Sequence, residues 1–340
     1  MPEEPQLNER ARTLTFGEYV VGVAANGRVF GVAFGDGTIR IIDSLTPDAE
    51  PVSTKAHNGA ALCIAADIEA GAFLTGGDDG KLVHTSVLGE TSVLAEHKHR
   101  WIEHVTSHAG SAFRVYAVGK DAIVLSKKAG GQTRTFSHKS SVAGLAINPK
   151  GRRLAVSHYD GVSLWWLASK DSKPTLLEWK GSHLQLAWSP DGMHIISAMQ
   201  ENALHGWRLS DAEHMRMSGY PAKIRALAFT RKGQFLATGG AESVVCWPFT
   251  GGGPMGKTPA QFGHSGGTPV TALAANPKLD IIAAGFENGA VVLGQPGEER
   301  TVTMVPGGTG PVTALCWNPE GEILLAGTET GEVHIADFRS

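Results

Sequence analysis

Apolar residues along this chain fall in runs of five to eight, rich in Val, Ile, Ala and Leu, separated by short polar stretches such as Asn-Pro, Pro-Asp-Gly and Asp-Gly. Runs of that length between tight-turn residues predict antiparallel strands, and no apolar stripe of period 3.6 predicts a helix. The runs recur as a unit: apolar run, polar turn, apolar run, Gly-containing turn, apolar run. Copies begin near Val20, Ala61, Ile102, Val142, Leu184, Ile224, Val270 and Val312. From Gly27 in the first copy to Gly321 in the eighth is 294 residues over seven intervals, a mean period of 42.

A weaker fourth run lies between copies, at 51–54, 91–94, 133–136, 174–177, 215–217, 259–262 and 301–304. Four strands per unit at this period predict an all-β fold, a single closed β-propeller of eight four-stranded blades. The alternative is seven blades, with one degenerate copy, the third, as an insertion. The eighth copy lacks its fourth run, and residues 12–16 have the character of one. Residues 11–16 are therefore expected to complete the last blade and cover its open edge. Residues 1–10 are expected to be a flexible N-terminus, and 1–340 one domain.

Composition narrows the class. The 43 Gly and 17 Pro are too many for a helical bundle, and 42% hydrophobic residues are too many for disorder. Thirty Lys and Arg against 33 Asp and Glu leave a net charge of −3, without the basic surplus of a dedicated nucleic-acid binder. The first twelve residues are polar and show neither a signal peptide nor a membrane span. Three cysteines, each inside an apolar segment, argue against a disulfide framework and for a cytoplasmic location.

The copies resemble the WD40 family over about residues 10–340. The likeness rests on the Ser189-Pro190-Asp191-Gly192 turn and its relatives at 148–151 and 318–321, on the Leu-Ala-Thr-Gly-Gly run at 236–240, and on Asp78-Asp79-Gly80. Trp165, Trp207 and Trp247 stand at the third-strand Trp position, Asp43 and Asp337 follow its equivalent, and His57, His97, His138 and His264 precede innermost strands. The resemblance implies a hydrogen-bonded set of His57, Thr75 and Asp79, with Thr85 in the Trp place. It implies another of His138, Asp160 and Trp165, with Val156 where Ser or Thr would stand. No copy carries a complete set. The resemblance also implies a non-catalytic platform without a cofactor.

Two motifs suggest chemistry. Residues 251–258 match GxxxxGK[ST], but Pro259 and a Gly-rich stretch follow where a phosphate-binding loop needs a helix, so the segment is expected to be a loop. His97, His99, His104 and His108 cluster in sequence with Glu103; on a strand His104 and His108 share a face while Glu103 points away, and no metal site is assigned. A zinc-linked accessory role for the His97–His108 region, and an enzyme with its site at the channel mouth, stand as alternatives. The main expectation is contact with one or more proteins or peptides, not nucleic acid or membrane. The contact residues are expected on loops joining fourth to first strands and second to third. Arg100, Trp101, Tyr159, Tyr220, Arg225 and Phe286 are the expected anchors, because aromatic and Arg side chains dominate interface energetics. Lys120, Lys139, Lys180 and His183 belong to the wider loop set.

Overall fold

The computed structural model describes residues 11–127, 133–169 and 173–339. Apart from one 3-10 turn at Ala109–Ser111, their regular structure is all strand. In the first copy, Val20–Asn26, Val29–Phe34, Thr38–Asp43 and Val52–Lys55 pair antiparallel in sequence order. The second strand is buried at all six positions, whereas the fourth is largely exposed. This explains the sequence texture: a strand covered on both faces reads as a continuous apolar run, and an outer strand reads as a weak one.

The strands make seven hydrogen-bonded sheets, six of four strands and one of six. The sheet count is thus the seven of the alternative, not the eight expected first. The third copy is not an insertion; its strands, from His104–His108 to Thr133–Ser137, form an ordinary four-stranded sheet. The lower count arises because the copies starting at Val142 and Leu184 share the six-stranded sheet. Two of its strands, Arg153–Trp166 and Thr175–Trp188, are 14 residues long and run without a break through register shifts between Tyr159 and Gly161 and between His183 and Leu186.

Neighbouring sheets pack face to face through aliphatic and aromatic side chains. Val20, Phe30 and Phe34 of the first sheet share a cluster with Ile323, Leu325 and Val333 of the last. Each fully buried side chain of this kind stabilises by about 1.5–3 kcal/mol. Gly31 is needed at one such contact, since a Cβ there would lie 2.7 Å from the Phe73 ring of the next sheet.

Ala11–Thr15 pairs antiparallel with Glu332–Asp337, from Ala11 opposite Ala336 to Thr15 opposite Glu332. Thr13 Oγ1 lies 2.8 Å from His334 Nδ1, and Leu14 and Phe16 pack on the cluster shared by the first and last sheets. Phe16 leaves the strand, and its N–H donates to the Gly331 carbonyl at 2.9 Å. The expectation for residues 1–10 concerns residues outside those described.

Candidate docking face and central channel

Each first strand starts at the end where fourth-to-first loops enter, and the second-to-third turns lie at that same end. One face of the molecule therefore carries both loop sets. The polar sets inside the blades hold these loops. His57 Nδ1 lies 3.0 Å from Asp79 Oδ1 and its Nε2 lies 2.9 Å from Thr75 Oγ1, as the resemblance implies, while Thr85 is buried with no partner for its hydroxyl among the described residues. In the set of His138, the Trp165 indole donates to its Nε2 at 3.1 Å. Asp160 accepts instead from the Gly181 N–H at 3.4 Å.

The structure divides the six expected anchors. Trp101 is 60% exposed and Tyr159 is 53% exposed, and Arg100 and Arg225 are exposed as well. Trp101 stands on a loop fixed by the fully buried Ile102, whose N–H donates to Gly77, and by the His97 N–H, which donates to Gly80 at 2.9 Å. The Arg100 guanidinium lies over the turn of its own blade, with Nη1 2.9 Å from where a Gly119 Cβ would stand.

Tyr220 and Phe286 are corrections. Tyr220 is buried, its hydroxyl lies 2.7 Å from Thr238 Oγ1, and it accepts from the Trp247 indole at 2.6 Å. It fills the place that histidine holds in the second and fourth copies. Phe286 is fully buried at the end of a second strand and packs with Phe262, Val270 and Val292. His183, placed in the wider loop set, is also buried, with Nδ1 2.7 Å from Ser197 Oγ and Nε2 2.8 Å from the Trp179 carbonyl.

A cavity of about 490 Å³ runs along the axis, lined by residues from eight strands or their entries. Its wall is mainly Val, Leu, Ala and Gly, with His104, Gln185 and Arg225 as the polar exceptions besides Cys63 and Thr313. Burial pushes the His104 imidazole below its usual range and the Cys63 thiol up to about 12, so neither offers a charged group or a thiolate at neutral pH.

The His97–His108 histidines do not converge. His97 Nε2 meets the Tyr116 hydroxyl at 3.0 Å, His108 Nδ1 meets Ser111 Oγ at 3.0 Å, and His104 faces the channel. Among the described residues, the one His and carboxylate cluster with metal-like spacing is Asp67, Glu69 and His84. Its charges are already met: Arg114 donates to both Asp67 oxygens at 2.6 and 2.7 Å, and Lys127 donates to Glu69 at 2.7 Å. The 251–258 segment joins a third strand to a fourth without a helix, and the Lys257 ammonium is bound by the Thr250 carbonyl.

That cluster belongs to a wider asymmetry that sequence reasoning missed. Among the described residues, the Lys and Arg ion pairs use Arg12, Arg28, Arg114, Lys127, Arg208, Lys232 and Arg339. All lie at first-to-second or third-to-fourth connections or the strand ends beside them, on the face opposite the loops of Arg100 and Tyr159. Among the described residues, no ion pair joins Arg100, Lys120, Lys139, Lys180 or Arg225 to a carboxylate. Pairing depends on which blade end a residue occupies, which residue type alone does not disclose.

Comparison with known proteins agrees with this architecture. The WD domain, G-beta repeat model matches residues 130–166, and the WD40 domain model of anaphase-promoting complex subunit 4 matches residues 273–340. A chromatin assembly factor 1 subunit FAS2 homolog from Oryza sativa subsp. japonica is 29% identical over 110 residues, which cover 30% of this chain and 22% of that protein. The chain thus spans about a fifth of the length of that curated relative. The crystal structure of the computationally designed Ika8 protein superposes with a TM-score of 0.75 at 18% identity, covering 95% of this chain and 97% of that one. The fold is a β-propeller. Two stretches of the chain, 130–166 and 273–340, match WD40-repeat models, in agreement with that fold.

Proposed function

We propose that the chain is a non-catalytic platform that docks one or more proteins or peptides on the face carrying Arg100, Trp101, Tyr159 and Arg225. The observation that carries this reading is Trp101, a large aromatic ring held 60% exposed on a loop pinned by a buried neighbour. An exposed ring on a rigid loop binds with little loss of conformational freedom. The matched family model and the curated relative are both named as subunits of larger factors, which supports an assembly role. Burial keeps the Cys63 thiol on the channel wall protonated, which supports binding over thiol catalysis.

The finer architecture belongs to the same proposal. We read the six-stranded sheet as two blades, because Asp160 at φ 69 and Gly161 at φ 143 turn the chain within one long strand, and eight strands line the channel. The ring is then closed by residues 11–15 on the last blade, and 1–340 is one domain. A cytoplasmic location fits three free cysteines, and among the described residues no helix is long and apolar enough to cross a membrane.

The test is affinity capture from native extract with wild type and the folded variant Arg100→Ala, Trp101→Ala, Tyr159→Ala. A stoichiometric partner held by wild type and lost by the variant is expected. Equal recovery by both overturns the placement.

A further inference from the structure

We propose that the axial cavity binds one carboxylate carried on a short apolar chain, with Arg225 as its counter-ion; this site goes beyond the docking of a partner on the loops and does not depend on it. Among the described residues that line the cavity of about 490 Å³, Arg225 is the only Asp, Glu, Lys or Arg. Burial keeps the His104 imidazole neutral and the Cys63 thiol protonated at neutral pH, so the guanidinium carries the formal charge of this wall.

The polar groups of the wall divide into two sets. The Thr313 hydroxyl donates to the Val20 carbonyl at 2.7 Å and the Cys63 thiol to the Ile102 carbonyl at 3.4 Å, so both are spent within the fold. Among the described residues, no hydrogen bond or ion pair engages the side chains of Gln185 and Arg225. These two hold the same place on adjoining first strands, each second in its copy after Leu184 and Ile224. A guanidinium beside a carboxamide offers a fork of N–H donors, which a carboxylate fills with both its oxygens.

The rest of the cavity sets the body of the ligand. Leu62, Ile64, Leu145, Leu186, Leu273 and Leu315 line it. An apolar wall with a few convergent polar groups is the ordinary form of a small-ligand site, and the volume lies in the usual range. Glu103 holds the corresponding place in the third copy, but it does not line the cavity, and among the described residues no ion pair joins it to Arg225. Two first strands stand between them, Gly144–Ile147 and the inner half of Thr175–Trp188. One guanidinium over apolar walls matches one negative charge; a phosphate ester or a dicarboxylate would leave a second charge against Leu and Ile without a partner.

Isothermal titration calorimetry on the full chain tests this with octanoate, octanamide, acetate, and an apolar tetrapeptide whose C-terminus is free or amidated. The proteins are wild type, Arg225→Gln, and Arg100→Ala, which lies on the same face but outside the cavity. Octanoate or the peptide with a free carboxylate is expected to bind wild type and Arg100→Ala alike, and Arg225→Gln about tenfold or more weaker. Binding of octanoate marks a free acid as the source, and binding of the peptide alone marks the C-terminal end of a partner chain. Octanamide or the amidated peptide binding as tightly as its charged form, acetate binding as tightly as octanoate, full affinity in Arg225→Gln, or no binding of either carboxylate probe overturns the proposal. The platform reading falls separately, by unchanged capture in the Arg100, Trp101, Tyr159 variant.

Discussion

The Trp247 indole donates to the Tyr220 hydroxyl at 2.6 Å, and the same hydroxyl meets Thr238 Oγ1 at 2.7 Å. Trp165 and His138 make the matching contact at 3.1 Å in another blade. Removing the hydroxyl leaves a buried Thr238 and an indole N–H without this partner. Tyr220→Phe is expected to lower unfolding free energy by about 1–3 kcal/mol, and Tyr220→His to lose less, because an imidazole nitrogen can accept from the indole. Urea unfolding of the three proteins at neutral pH checks the order; equal midpoints for wild type and Tyr220→Phe contradict it.

Gly31→Ala places a methyl 2.7 Å from the Phe73 ring, in the contact between the first and second sheets. The ring is fully buried and has little room to yield. The expected cost is about 1–3 kcal/mol, partly recovered when Phe73→Leu is added. Independent, additive effects in a double-mutant cycle rule the contact out as the cause.

His205 is fully buried, stacks on Trp179 at 4.0 Å between ring centres, and among the described residues has no hydrogen-bond partner at either ring nitrogen. Burial, with His183, His214 and Arg216 nearby, pushes it down to about 3 from an ordinary 6.5. The folded chain thus keeps this imidazole neutral while the unfolded chain takes up a proton below pH 6.5. Its contribution to stability is fully present above about pH 6.5 and is lost progressively as pH falls toward 3. His138, His183, His194 and His334 are lowered by burial too and add to the same trend. Denaturation midpoints at pH 7.5 and 5.0 are expected to drop for wild type and to drop less for His205→Phe.

Residues 11–15 cover the outer edge of the last sheet, and Phe16 packs edge-on against Phe34 at 5.4 Å. Deleting residues 1–16 strips Leu14 and Phe16 from a core cluster and exposes the edge of Glu332–Asp337. A loss of about 3 kcal/mol or more follows from that burial, and thermal unfolding reads it. An unchanged melting temperature contradicts the role of this strand.

What was legible in the sequence follows from where each signal resides. Strand runs and turns are local, so the four-strand unit was readable, and the resemblance to WD40 repeats implied the His57, Thr75 and Asp79 set. Tyr220 was misplaced because a Tyr in a loop suggests contact, yet its spacings gave it away: 18 residues to Thr238 and 27 to Trp247, the same as His57 to Thr75 and His138 to Trp165. Phe286 was misplaced by one residue of register, since the matching Phe34 ends a second strand and is equally buried. The sheet count was not legible, because continuity through 153–166 and 175–188 depends on backbone pairing and not on residue type. The contrast between paired and unpaired cations was also invisible, as Arg114 and Asp67 are 47 residues apart and meet only across two blades.

The most direct test of the docking face is site-specific photo-crosslinking in native extract, with the crosslinking residue at position 101 in one protein and at position 232, on the opposite face, in another. The account predicts a discrete protein adduct from position 101 and none from position 232. Adducts from position 232 alone would contradict it.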